Sequence, residues 1–144
     1  MTMKNRLRAV LVITVLSSII LTGVLQANEV AEKAATARAS AWLSLVDEGN
    51  YVESWNQASG FFKAAVTQEQ WQQSLRAFRL PLGKMVARKL KSKQYTTTLP
   101  GAPHGEYVVI QYETTFENKQ SATETVTPML DKDGIWRVSG YYIK

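Results

Sequence analysis

The sequence predicts an α+β domain, in which N-terminal helices pack on a curved four-stranded antiparallel sheet that forms a cone. Three observations support this prediction. Apolar residues recur at helical spacing up to Pro81, whereas β-branched and alternating side chains dominate from Val86 onward. Turn residues divide this second half into four strand-like segments. Helices followed by hairpin-linked strands are typical of α+β domains with a layered helix-on-sheet core.

The first 27 residues have the pattern of an export signal. Lys4, Arg6 and Arg8 precede an uncharged apolar run over residues 9–25, as in the basic and hydrophobic regions of a signal peptide. Cleavage near Ala27 would leave residues 28–144 as a single domain. The alternative is retention as an N-terminal anchor, because the run approaches the length that spans a bilayer. Both alternatives predict an exported, periplasmic domain.

Composition narrows the classes of function. The chain has 17 Lys and Arg against 12 Asp and Glu. Three of the 17 basic residues lie in the predicted signal, so residues 28–144 carry 14 basic and 12 acidic groups, a net charge of +2. This small excess argues against a nucleic-acid partner. The absence of Cys excludes disulfides, thiolate catalysis and lipid attachment to a cysteine.

Three helices are predicted before Pro81. The first begins at an Asn28 cap and ends at Gly49. Its apolar face is expected to contain Val30, Ala34, Ala41 and Leu45, which recur at steps of three or four residues or multiples of these steps. Trp42 and Val46 lie beside this row.

Capping patterns mark the next two helices. Asn50 with Glu53, and Thr67 with Gln70, have the spacing of capping boxes. The last helix is expected to bury Trp71, Leu75 and Phe78 on one face.

Four strands follow, over residues 86–99, 107–116, 122–130 and 135–143. Pro100-Gly101 begins the first loop, and Pro128 predicts an edge or a bulge in the third strand. Asp131, Asp133 and Gly134 form a hairpin signal before the last strand. The same residues match a calcium loop poorly, because the later ligands are absent.

A set of aromatic, glycine and charged positions spans residues 42–141. The set comprises Trp42-Leu43, Asp47-x-Gly49-x-Tyr51, Ser54-Trp55, Trp71, Arg79-x-Pro81-Leu82-Gly83, Arg88, Gly105-x-Tyr107 and Trp136-Arg137-Val138-x-Gly140-Tyr141. In this order and spacing the chain resembles the exported bacterial domain-of-unknown-function family 4019. The resemblance implies the nuclear-transport-factor-2-like or cystatin-like fold and an exported location, and it implies no particular activity.

Arg79, Arg88 and Glu124 are the charged candidates for a ligand site. Arg79 lies where the last helix meets the first strand, and a guanidinium at such a corner usually pairs with a carboxylate or with the carbonyls at the end of the helix. Asp47 or Glu124 would be suitable partners. The functional alternative is that Arg79, Arg88 and Glu124 converge on a pocket that binds an acidic or polar ligand.

Further candidates combine an apolar surface with a polar group. Tyr51, Ser54, Trp55 and Tyr141 could line an apolar cavity and orient a ligand in it. The alternative is that the aromatic side chains simply form the core. A carboxylate beside a tyrosine could also serve an isomerase, although no spacing requires it.

The remaining sequence patterns say less about the chemistry of the protein. Lys89, Lys91 and Lys93 alternate along one predicted strand, so they could present a basic stripe to an anionic membrane or pair with acidic residues of the next strand. No cofactor or metal site is predicted, because His104 is the single histidine and there is no cysteine.

The leading hypothesis is therefore an exported non-catalytic domain that binds a small ligand or an envelope protein through the cone or the sheet face. The alternatives are a small isomerase or dehydratase with a carboxylate and a tyrosine in its pocket, and a membrane-associated envelope structural protein. Homodimerisation through the sheet is also predicted.

Overall fold

A computed structural model describes residues 3–144, with side chains from Thr22 onward. Residues 1 and 2, and the side chains of residues 3–21, which hold most of the predicted export signal, lie outside the described part. The chain divides into two compact units, Met1–Ala31 and Glu32–Lys144.

Helices precede strands, as the sequence predicts. The elements are helices α1 (Met3–Asp47), α2 (Tyr51–Asn56), α3 (Gly60–Ala65) and α4 (Gln68–Phe78), a 3-10 turn (Leu80–Leu82), and strands β1 (Met85–Thr96), β2 (Tyr107–Phe116), β3 (Lys119–Leu130) and β4 (Trp136–Ile143). The strands form one antiparallel sheet in the order β1-β2-β3-β4. The α+β prediction is confirmed.

In the first unit, residues 3–31 belong to α1. Asn28 lies inside this helix, so the prediction that it caps a new helix is wrong. Strong helix formers on both sides, Leu25, Gln26 and Ala27 before it and Glu29 and Ala31 after it, continue the helix through this position. Among residues 22–144, whose side chains the structure describes, no helix is long and apolar enough to cross a membrane.

In the second unit, α1 buries Trp42 and Val46 as predicted, but the rest of its buried face differs from the predicted one. The buried side chains are Ala35, Ala39, Trp42, Leu43 and Val46, whereas Ala34 and Ala41 are exposed. Because Trp42 and Leu43 lose far more apolar area to the core than an alanine does, they determine which side of the helix faces inward.

The short helices begin at side-chain caps, with one exception. Thr67 accepts a hydrogen bond from the backbone N–H of Gln70, whose side chain accepts one from Thr67, so this capping box is confirmed. Asn50 makes no side-chain cap and instead donates to Glu48. Ser59 caps α3, a helix that the sequence analysis missed, by accepting from the Phe62 N–H.

Bulges shape the sheet. The register shifts between Thr127 and Pro128, as predicted for Pro128, and again between Leu90 and Ser92. Each shift adds a residue to one strand, which increases the local twist and bends the strand.

The bulge in β1 also divides the predicted lysine stripe. Lys89 lies opposite Glu113, on the outer face, whereas Lys93 lies opposite Ile110, on the face that forms the core. Directly opposed residues share a face of the sheet. The prediction that Lys89, Lys91 and Lys93 share one face is therefore wrong, because one inserted residue reverses the alternation.

Candidate functional site

A cluster of four charged side chains lies between the end of α1 and the sheet. Asp47 accepts hydrogen bonds from both Arg79, at 3.0 Å, and Arg88, at 2.7 and 3.0 Å. Arg88 also donates through Nε to Glu124 Oε1 at 2.7 Å. Asp47 is therefore shared by two guanidinium groups, and the two carboxylates offset the two positive charges. The pairing of these arginines with carboxylates is as the sequence analysis expected.

Each member of this ionic cluster comes from a different element. Asp47 is the last residue of α1, Arg79 is the C-cap of α4, Arg88 lies in β1 and Glu124 in β3. The sheet register explains the approach of the two strand residues. Thr114 in β2 lies opposite Arg88, and its hydroxyl reaches the same Glu124 oxygen as the Arg88 Nε.

Glu124 is fully enclosed, with 0% of its surface exposed. Its Oε1 accepts from Arg88 and from the Thr114 hydroxyl, at 2.7 and 2.5 Å. Its Oε2 accepts a short hydrogen bond from the Tyr141 hydroxyl. Both oxygens are thus occupied by protein donors, as a buried carboxylate requires.

The cluster changes the protonation behaviour of its neighbours. Burial raises the pKa of Tyr141, and the negative charge of Glu124 and its hydrogen bond raise that pKa further. Burial alone would lower the pKa of Arg88, but hydrogen bonds and charges from Asp47 and Glu124 outweigh it and raise that pKa. Burial also raises the pKa of Tyr112. At neutral pH the cluster therefore holds charged Arg88 and a neutral Tyr141.

Arg79 is held from three sides. Besides Asp47, it donates to the Gly83 carbonyl at 2.6 Å, and its guanidinium lies 4.4 Å from the centroid of the Phe116 ring. Its Nε, and the hydroxyl of Tyr112, are buried without a hydrogen-bond partner among the described residues.

The predicted aromatic residues form a packed layer beside the cluster. Trp42 and Trp71 lie 5.9 Å apart, and the Tyr141 ring meets Trp42 edge-on at 5.3 Å. Ser54 joins the two tryptophans, because its carbonyl accepts from the Trp42 indole and its hydroxyl from the Trp71 indole. The interior next to Tyr141 is therefore filled by side chains.

The other predicted site residues have structural contacts of their own. Tyr51 is buried, and its carbonyl accepts from the Ser54 hydroxyl at 2.7 Å. Trp55 is half-buried and donates to the Val66 carbonyl. Neither residue lies in the ionic cluster. The structure brings together Arg79, Arg88 and Glu124 with Tyr141, which is only part of the predicted set.

An apolar groove of about 540 Å³ adjoins the cluster, between α4 and the end of β4. Its lining residues are Trp71, Ser74, Leu75, Phe78, Arg79, Leu82, Lys119, Tyr141, Tyr142 and Ile143. Arg79 and Tyr141 belong both to the groove and to the ionic cluster. Phe78 is 74% exposed and Tyr142 is 51% exposed, so the prediction that Phe78 is buried with Trp71 and Leu75 is wrong.

Sequence patterns alone do not reveal most of this groove. Helical spacing places Phe78 in the core, and no pattern singles out Tyr142 or Lys119. A usable signal exists at Phe78, because Pro81, three residues later, ends the helix before another turn can cover the Phe78 ring. The approach of Lys119 and Tyr142 depends on strand register and has no such signal.

Metal-binding groups are not assembled in the described part of the chain. Across those residues, no three His, Asp or Glu side chains lie close enough together to hold a metal ion. The hairpin acids have another role, since Asp131 and Asp133 each bond Arg137 at 2.9 Å. The hydrogen bond from Arg137 lowers the pKa of Asp133.

The comparison with known families covers the ionic cluster and most of the groove. No curated protein matches the chain. A family model described as "Protein of unknown function (DUF4019)" matches residues 38–141. This span contains every residue of the ionic cluster and most of the groove. The chain therefore belongs to the DUF4019 family of proteins of unknown function.

Proposed function

We propose that this protein is an exported, non-catalytic binding domain whose groove between α4 and β4 holds a small ligand with an apolar body. The observation that carries the proposal is an apolar groove that leaves two aromatic side chains, Phe78 and Tyr142, largely exposed to water. Its volume of about 540 Å³ lies within the range of small-molecule sites.

The energetics favour occupation of the groove. Covering exposed apolar surface contributes roughly 25 cal/mol per Å², and Phe78 still exposes most of its ring. Aromatic side chains also offer flat contact surfaces with little rotamer entropy to lose. A ligand that seats between Phe78 and Tyr142 would therefore gain affinity from both rings.

The ionic cluster supports the groove from its mostly buried position. Arg79 and Tyr141 are held by Asp47, Glu124 and the Gly83 carbonyl, and both also line the groove. A lining fixed by such contacts loses little conformational freedom when a ligand binds, which preserves affinity. In this proposal the cluster positions the floor of the groove, and the ligand meets its apolar side.

The geometry does not favour the isomerase alternative. A general base must reach the proton that it removes, but Glu124 is fully enclosed and both of its oxygens accept hydrogen bonds from the protein. Trp42, Trp71 and Tyr141 occupy the space beside it. These contacts are those of a structural carboxylate.

Export and the wider relationship belong to the same proposal. The basic and apolar regions in residues 1–27 support export, and helices followed by a four-stranded antiparallel sheet support membership of the nuclear-transport-factor-2-like or cystatin-like superfamily. N-terminal sequencing of the protein recovered from the periplasm tests the first point. A start at residue 28 is expected, and a start at residue 1 would favour the anchored alternative.

A neutral hydrophobic dye, Nile red, tests the groove. We expect saturable binding with one dye per chain, and Phe78→Ser is expected to weaken it by at least about fivefold, because the variant removes one wall of the groove. Phe61→Ser is the matched control, since Phe61 is 39% exposed but lies outside the groove. Absence of saturable binding, or equal loss in both variants, would contradict the proposal.

A further inference from the structure

The charges that line the groove are all positive. Arg79 and Lys119 line it, and no acidic side chain does. Arg79 is already engaged by Asp47 and by the Gly83 carbonyl. Lys119 differs, because it forms no salt bridge and no side-chain hydrogen bond with any residue whose side chain the structure describes.

The acidic residue closest to Lys119 in the chain is directed elsewhere. Glu117 accepts a hydrogen bond from the backbone N–H of Lys84 at 2.9 Å, and its carboxylate lies against Gly83. Asn118 donates to the Pro81 carbonyl. The two residues that precede Lys119 thus bind the turn after α4, and neither pairs with Lys119, which lines the groove.

A second ammonium group lies near the same rim. The Lys144 Nζ lies 5.8 Å from the centroid of the Tyr142 ring, and Tyr142 lines the groove. Lys144 is paired through its backbone with Thr123 in β3, the strand that begins at Lys119. Lys119 therefore lines the groove, and the Lys144 ammonium lies next to a residue that lines it.

We infer that the ligand of this groove is a free single-chain amphiphile with an anionic head, whose carboxylate or phosphate is held by Lys119. The inference rests on the proposed function, because it requires that the groove binds a ligand at all. The apolar chain lies against Trp71, Phe78 and Tyr142, and the head accepts hydrogen bonds from the Lys119 ammonium.

A free molecule fits these observations better than a membrane surface does. Binding to an anionic bilayer requires several basic side chains on one surface. The bulge in β1 instead places Lys89 and Lys93 on opposite faces of the sheet. At the groove, by contrast, Lys119 offers a single ammonium group that one head group can use.

The test compares ligands that differ only in their head group. Dodecanoate and dodecyl phosphate, each below its micelle concentration, and dodecanol, below its solubility limit, are titrated against Nile red bound to the full chain. We expect both anions to displace the dye at about tenfold lower concentration than dodecanol does, as a charge-assisted hydrogen bond would provide. Lys119→Met should abolish that preference without weakening Nile red binding.

The control and the contrary outcomes separate the two proposals. Lys63→Met removes an exposed ammonium that lies over Trp55, away from the groove, and should keep the anion preference. If Nile red binds but dodecanoate and dodecanol displace it equally well, the inference of an anionic head group is wrong and the proposed function still stands. Failure of Nile red to bind would overturn both. Lys119-dependent binding to anionic vesicles without binding of the free amphiphiles would also overturn the inference.

Discussion

Glu124 illustrates why buried charge in this domain occurs as a network. The carboxylate has no exposed surface and receives donors from Arg88, Thr114 and Tyr141. Removing water from a charged group is expensive unless protein donors replace it. Each donor of the network therefore stabilises the fold chiefly because Glu124 or Asp47 would otherwise carry a buried charge without a partner.

Replacement of Arg88 should reveal this dependence. Arg88→Met removes the partner shared by Asp47 and Glu124, and we expect the free energy of unfolding to fall by about 3–5 kcal/mol. Lys89→Met, one residue further along β1 and exposed to solvent, should change it by less than about 0.5 kcal/mol. Urea unfolding measures both, and similar losses in the two variants would show that the ionic cluster is not needed for stability.

Tyr141 should make the stability of the protein decrease as the pH rises in the alkaline range. Its folded-state pKa is raised by burial and by Glu124 above an ordinary value of 10.0, so the folded protein keeps a proton that the unfolded chain loses. This stabilisation is complete below pH 10 and declines as the pH rises further.

The measurement for Tyr141 is the free energy of unfolding between pH 9 and 11.5. Burial also raises the pKa of Tyr107 and Tyr112, so wild-type stability should decline steeply in this range. Tyr141→Phe should make the decline of the free energy of unfolding with pH shallower. The largest change expected is the contribution of one proton, about 1.4 kcal/mol per pH unit. An unchanged slope in the variant would contradict the assignment to Tyr141.

At the scale of elements, the turn between α4 and β1 joins the groove to the ionic cluster. Gly83 adopts a φ of 76°, and its carbonyl accepts from Arg79. A Cβ at this position would lie 2.8 Å from the Glu117 Oε2, which is bonded to the backbone of Lys84. The turn therefore requires glycine both for its backbone conformation and for space.

Substitution of Gly83 separates these two requirements. Gly83→Ala should lower the free energy of unfolding more than Gly101→Ala does, by at least about 1 kcal/mol. Gly101 has a similar φ of 77°, but a Cβ added there would meet nothing within 4 Å, so it reports the backbone strain alone. Equal losses of stability in the two variants, measured by thermal unfolding, would show that Glu117 moves away from the added methyl group without an energetic penalty.

At the scale of the whole molecule, the second unit buries its core between α1 and the sheet. Trp42 of α1 meets Tyr141 of β4, and Asp47 of α1 binds Arg88 of β1, so the two edge strands both contact the same helix. The side chain of Glu32 in α1 also accepts from the Tyr95 N–H in β1. The opposite face of the sheet remains for other contacts.

We expect that outer face to mediate a weak homodimer. Lys89 and Glu113 lie opposite each other there, and a two-fold arrangement lets each charge meet its opposite on the second copy. Size-exclusion chromatography with light scattering across the micromolar range should show a mass that rises with concentration. A constant monomer mass would contradict this expectation.

The sequence by itself determined the local features. Helices before strands, the bounds of β2, the Thr67 cap and the bulge at Pro128 follow from periodicity, capping and turn chemistry, which act over a few residues. The association of Arg79 and Arg88 with carboxylates also follows, because a buried guanidinium requires an acceptor.

Only the tertiary structure decided which side chains share a face. The inward face of α1, the separation of Lys89 from Lys93, and the meeting of Phe78, Lys119 and Tyr142 around one groove depend on packing and register between distant segments. A single inserted residue in β1 reverses the faces of the residues beyond it. For that reason the groove, with Lys119 in its lining, became visible only when the strands were placed beside α4.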